Sequence, residues 1–106
     1  MIRLTTPQHI FTFPQDPAQY EKILVTMWQD GDIVLEKTEA DMEFDSESRK
    51  AWYKLTQEET RLFVPNKDVK LQIRVLTAEG DAFASDIMPV KVHDVLNDSI
   101  LEGEPE

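Results

Sequence analysis

Cysteine is absent from the 106 residues, which excludes disulfides, thiol catalysis and thiolate metal sites. Glycine is almost as scarce. Only Gly31, Gly80 and Gly103 occur, the first two in turn contexts and the third in a tail, so no glycine-rich phosphate cradle can be built. No stretch approaches the ~18 consecutive apolar residues that a membrane-crossing helix needs, and no membrane partner is expected. Met1 to Pro7 lacks the apolar core of a signal peptide, which predicts that the chain stays inside the cell that makes it. Positive charge is outnumbered, with 11 Lys and Arg against 21 Asp and Glu, a formal charge of −10. Nucleic-acid affinity rests on cations displacing phosphate counterions, so no nucleic-acid partner is expected either. The excess negative charge reads as solubility and resistance to self-association.

What is present is strand pattern. Val69, Leu71, Ile73 and Val75 alternate with Lys70, Gln72 and Arg74, the signature of a strand with one buried and one wet face. Ala78-Glu79-Gly80-Asp81 supplies a turn, and the chain returns through Phe83, Ser85, Ile87, Val90 and Val92. Pro89 puts that return at a sheet edge or a bulge. Lys22 to Gln29 carries apolar groups on both faces, as a central strand does. Asp30-Gly31 joins it to Ile33-Val34-Leu35 by a hairpin turn. Shorter strands are expected at His9–Phe13, Met42–Asp45 and Ala51–Leu55. Asp16-Pro17 has the form of a capped single helical turn. Thr56-Gln57-Glu58-Glu59 has the form of a capping box opening a helix of two turns at most, whose Leu62 and Phe63 would plug one end of the core.

The expected architecture is therefore all-β: an antiparallel, immunoglobulin-like sandwich of about seven strands, with one short helix crossing between the sheets after the fifth. It would occupy residues 1–93. Residues 94–106 read as an acidic tail, with a marginal helix over Asp94–Leu101 and disorder beyond it.

Candidate chemistry is sparse. Asp41, Glu43, Asp45 and Glu47 would crowd one face of a strand, and calcium takes several carboxylate oxygens. The loop pattern fails, because Ser46 stands where glycine is required and Trp52 where glutamate is. His9 and His93 would meet only if the first and last strands were neighbours, and they read as half-exposed rings at strand ends. Ser85-Asp86 and His93-Asp94 supply the letters of a hydrolase triad without a nucleophile elbow. Glu59 is better used as a cap than as half of a catalytic pair with Glu58. No enzymatic activity and no cofactor is expected.

Two features remain for recognition. Lys70, Gln72 and Arg74 form the one basic-leaning face of an acidic chain and are the expected protein-docking patch. Trp28 and Trp52 are the candidates for stacking on sugar rings, although Trp52 is expected inside, with Tyr53 pointing outward.

At Leu35 to Thr38 (LEKT), Lys54 to Thr60 (KLTQEET) and Leu71 to Asp86 (LQIRVLTAEGDAFASD), the chain resembles short prophage-encoded proteins of Gram-positive bacteria, found among tail and baseplate genes. The resemblance covers most of residues 2 to 96 and rests on strand-and-turn motifs. It implies a β-sandwich that assembles with other phage structural proteins or with itself, in the host cytoplasm or in the virion. It carries over no catalytic residue. The expected function is thus a non-enzymatic tail or baseplate component; the alternative is a carbohydrate-binding module using an exposed tryptophan.

Overall fold

The computed structural model describes residues 1–103. Among these, eight strands form two antiparallel sheets packed face to face, with one short α-helix between them. The strands are β1 (Gln8–Thr12), β2 (Lys22–Gln29), β3 (Asp32–Thr38), β4 (Glu43–Asp45), β5 (Lys50–Lys54), β6 (Val69–Leu76), β7 (Ala82–Ala84) and β8 (Met88–Val90); α1 is Gln57–Arg61. The smaller sheet has the order β1-β5-β4. The larger has β3-β2-β6-β7, with β8 also pairing β6. An immunoglobulin constant domain places its first, second, fifth and fourth strands in one sheet and its third, sixth and seventh in the other. Here the second strand lies between the third and sixth; the remaining neighbours are kept.

Both central strands follow their sequence pattern. Ile23, Val25 and Met27 of β2 face Val69, Leu71 and Ile73 of β6 along one buried surface. Phe13, Met42, Ala51, Tyr53 and Leu55 cover it from the smaller sheet. Asp30 and Gly31 turn the chain from β2 to β3 with φ of 56° and 90°, the left-handed pair that a tight hairpin requires. One register shift falls between Met27 and Trp28, so Trp28 opposes Ile33 while Met27 opposes Leu35. Val34 is thereby the extra residue of a bulge, which bends the edge strand.

The capping box forms as the sequence predicts. Thr56 Oγ1 accepts from the Glu59 N–H at 3.1 Å, and Glu59 Oε1 accepts from the Thr56 N–H at 3.0 Å. Asp16 likewise accepts from Ala18 N–H to start a single 3₁₀ turn at Pro17–Gln19. α1 carries the chain from the smaller sheet to the larger. Phe63 then closes the core, but Leu62 is exposed, because Leu62 still has helical backbone and its side chain points away from the sandwich.

Three expectations are corrected. The return strand is broken in two: Ser85 Oγ accepts from Ile73 N–H and donates to Asp86 carbonyl, so its side chain takes ladder bonds and the chain bulges before Pro89. Ile87, just past the bulge, stands in solvent instead of in the core, and so does Phe83, although it keeps its register opposite Val75. Second, Trp52 is on the outer face of the smaller sheet, and Tyr53 is the buried aromatic, 2% exposed. The Tyr53 hydroxyl can go inside because His9 Nδ1 lies 2.7 Å away; the indole N–H instead donates to Glu43 at 2.8 Å. Third, Asp94–Leu101 is not helical. Asp94 accepts from Val95 N–H and Asn97 from Ser99 N–H, local bonds that compete with a helix. Of the tail expected to be disordered, residues 104–106 lie outside the described residues.

Candidate functional site

The outer face of the larger sheet is set by the pairing of β2 with β6. Trp28 opposes Lys70, Thr26 opposes Gln72, and Leu24 opposes Arg74. The alternation that buries Val69, Leu71 and Ile73 therefore forces Lys70, Gln72 and Arg74 outward beside Trp28. Lys70 Nζ sits 5.0 Å from the centre of the Trp28 ring, close enough for a cation–π attraction of about 0.5–1 kcal/mol at an exposed site. Ile33 on one flank and Ile87 on the other, 57% and 58% exposed, complete a shallow groove of about 400 Å³ over these residues. Gln72 is anchored at its rim, its amide donating to the Ser85 carbonyl at 3.0 Å. Neither Lys70 nor Arg74 forms an ion pair among the described residues. The groove thus offers two free cations over an aromatic and aliphatic floor. Glu36, opposite Thr26 on β3, is the carboxylate nearest by register.

The docking residues and one of the two sugar-stacking candidates, derived separately from the sequence, therefore share a face. The other does not. Trp52 is across the molecule between Ile10 and Glu43, so the two indoles cannot form one platform. The bulge at Val34 brings Ile33 level with Trp28 and the Ser85 bulge swings out Ile87; neither is visible as a periodicity.

The remaining candidates are scattered or already engaged. Only Glu43 and Asp45 of the acidic series share a strand face. Asp41 accepts from the Thr38 N–H and Asp45 from the Ser48 hydroxyl, while Glu47 lies in the turn before β5. Among the described residues, no three His, Asp or Glu side chains are placed to hold a metal ion together. His9 is held by Tyr53, whereas His93 is exposed and bridges Ile2. Burial, and secondarily the charge of the chain's amino terminus, lowers the His9 pKa from 6.5. Burial, and secondarily the Glu59 carboxylate, pushes the Tyr53 phenol far above its ordinary 10.0. Burial alone would raise Glu59, but hydrogen bonds from Lys37 and Thr56 outweigh it and hold its carboxyl below 4.5.

Three polar anchors have no sequence signal. Gln29, 3% exposed, donates to the Val64 and Lys67 carbonyls and accepts from Val64 N–H at 2.7 Å. Lys37 reaches inward to Glu59 Oε2 at 2.5 Å. Arg3 ties Asp94 to the Arg61 carbonyl at the end of α1. A second cleft of about 470 Å³ opens where β7 extends past the smaller sheet, between Phe13, Tyr20, Val75 and Phe83. Its walls are mostly apolar, with Thr12, Gln15, Thr77 and Ser85 the exceptions, and no charged side chain among the described residues lines it.

No protein-family model, curated protein or solved structure matches the chain. No helix among the described residues is long and apolar enough to cross a membrane.

Proposed function

We propose that the protein is a non-enzymatic structural or assembly component, of the kind found in phage tails and baseplates, that works through protein–protein contacts at the Trp28–Lys70–Gln72–Arg74 face. The observation that carries this reading is the placement of two cations, unpaired among the described residues, and an indole on one outer face of a chain with formal charge −10. Aromatic and arginine side chains are what dominate binding at protein interfaces. A basic patch on an acidic surface also selects acidic partners and speeds their encounter. The absence of enzymatic function is supported by the occupation of the reactive groups. Ser85 holds a bulge, Glu59 a helix cap and Lys37, and His9 the buried Tyr53. On this reading the protein is found in the host cytoplasm and in assembled particles, beside other phage structural proteins or copies of itself.

The test is incorporation. In a lysogen encoding the chain, Lys70→Glu with Arg74→Glu should cut the amount co-sedimenting with particles by roughly tenfold or more, as expected when two interfacial charges worth ~1 kcal/mol each are reversed. Incorporation at the wild-type level overturns the reading.

A further inference from the structure

Among the described residues five strands lie at sheet edges, and four of them carry a device that keeps foreign strands off. β4, β7 and β8 are three residues each, and β8 contains Pro89. β3 has its bulge and the inward-facing Lys37. Short length, proline, bulges and inward charge are the usual protections of an edge. β1 has none of them. Its five residues include no proline, lysine, arginine or carboxylate, and they pair with β5 in unbroken register.

The ladder shows which backbone groups are left over. Leu55 N–H donates to the Pro7 carbonyl and Phe13 N–H to the Arg49 carbonyl, both at 2.9 Å. Bonded and non-bonded positions alternate along an antiparallel pair, so His9 and Phe11 are the β1 residues whose main chain faces β5. The N–H and C=O groups of Gln8, Ile10 and Thr12 point the other way, and none is hydrogen-bonded among the described residues.

On that free side the sandwich is open. A cleft of about 390 Å³ lies between His9 and Phe11 of β1 and Met88 and Val90 of β8. Further along, the cleft of about 470 Å³ lies between Phe13 and Phe83. No β5 residue lines either cleft, and neither does any Asp, Glu, Lys or Arg side chain.

We infer that the free edge of β1 takes a fourth strand into the smaller sheet, donated by an extended segment of another protein with apolar side chains at alternate positions. This surface is separate from the Trp28 face. Residues of the added strand opposite His9, Phe11 and Phe13 point inward, about 7 Å apart, over the two clefts. In such strand addition the main-chain bonds supply affinity, and the pockets for alternate side chains supply selectivity. The outer positions have a charge preference. Lys54 stands opposite Gln8, is exposed, forms no ion pair among the described residues and lies past the end of the β4 pairing. An acidic residue beside Gln8 on the added strand is two strand spacings from it, about 10 Å between backbones, within the span of the two side chains. A second folded copy does not meet these demands. Its strands of five or more residues already hold their inner side chains against their own core, so it could pair with the edge but not fill the clefts.

Blocked seven-residue peptides are the probe, with Val, Leu or Phe at the odd positions, Thr between them and Glu at the second or sixth. Controls of the same composition group the apolar residues together. Amide hydrogen exchange is read by NMR on the full-length chain. An alternating peptide should slow exchange at Gln8, Ile10 and Thr12 by roughly tenfold or more at saturation, and the grouped controls should not. Ile10→Pro removes one outward N–H that β5 does not use, and Phe83→Asp puts a charge at the cleft. Each should weaken the best peptide about tenfold or more, with thermal melts checking the fold; the exchange map on the wild-type chain needs neither variant. Lys54→Glu should weaken it severalfold. The inference is overturned if no alternating peptide binds at about 1 mM, if grouped controls bind equally, or if protection appears away from β1. Undiminished binding to a folded Ile10→Pro or Phe83→Asp protein overturns it too. So does a wild-type dimer that protects the same three amides without peptide, since the occupant would then be a second copy.

Discussion

His9 shows how one residue couples burial to pH. Its ring is edge-on to Tyr53 with centroids 5.2 Å apart, and the phenol hydroxyl is the partner of Nδ1. Burial disfavours the imidazolium, so the folded pKa lies below the unfolded 6.5. The unfolded chain then binds more protons than the folded one between those two values. The contribution of neutral His9 is complete above pH 6.5 and is lost as the pH falls from there toward the folded value. Urea midpoints should accordingly drop between pH 7.5 and 5.5, and His9→Gln, which cannot titrate, should remove the His9 part of that drop. Tyr53→Phe should cost about 0.5–1.5 kcal/mol at neutral pH, the usual net worth of one hydrogen bond. An equal drop in wild type and His9→Gln would refute this account. The same scale explains why Tyr53, and not Trp52, went inside: a buried hydroxyl needs a partner, and β1 places His9 directly opposite Tyr53.

Among the elements, β3 poses the sharpest problem. It is an edge strand of seven residues, and edge strands offer unpaired N–H and C=O groups to other chains. Two devices blunt it. The bulge at Val34 twists it, and Lys37, on the inward face opposite Val25, is an inward-pointing charge. Lys37 is tolerated there because Glu59 of α1 meets it, with side chains 14% and 21% exposed. The capping carboxylate therefore has two duties, starting the helix and neutralising the edge. Its lowered pKa means that this contribution is complete above pH 4.5 and is lost as the pH falls through the folded value. Glu59→Ala should destabilise the fold by about 1–3 kcal/mol, as a cap and a charge-assisted bond are lost and a nearly buried ammonium is left unpaired. Lys37→Val should cost less, since it removes the charge together with its need for a partner, yet should raise light scattering on storage by freeing the edge. A Lys37→Val protein that stays as clear as wild type would show that the bulge alone protects β3.

At the scale of the whole molecule, the sandwich is a plate, 47 × 40 × 18 Å. The larger sheet overhangs the smaller one. Three strands cannot cover the inner side of the wider layer, and the excess appears at β7, where Phe83 opposes Val75 yet is 62% exposed. Phe63, at the closed end, is fully buried. Phe83→Ser should therefore change stability by no more than about 0.5 kcal/mol, whereas Phe63→Ala should cost about 3–5 kcal/mol. Similar losses at the two positions would mean that the overhang is covered in solution. The outer face of the larger sheet is left bearing Lys70, Arg74 and the Trp28 indole.

Much of this was legible in the order of residues. Two-residue alternation fixed β2 and β6 and sent Lys70, Gln72 and Arg74 outward, because the pleat leaves no other choice. Asp30-Gly31, Asp16-Pro17 and Thr56–Glu59 each encode a local hydrogen-bonded conformation within three or four residues, and all three formed. What no local pattern could convey was which layer each strand would join and how far one sheet would reach over the other. Those depend on contacts between residues far apart in the chain: Tyr53 finding His9, Lys37 finding Glu59, Gln29 closing the loop after α1, and Ile33 and Ile87 arriving on either side of Trp28 through bulges that break the period. Periodicity reports what a side chain must do relative to its own strand. Its partner is chosen by folding.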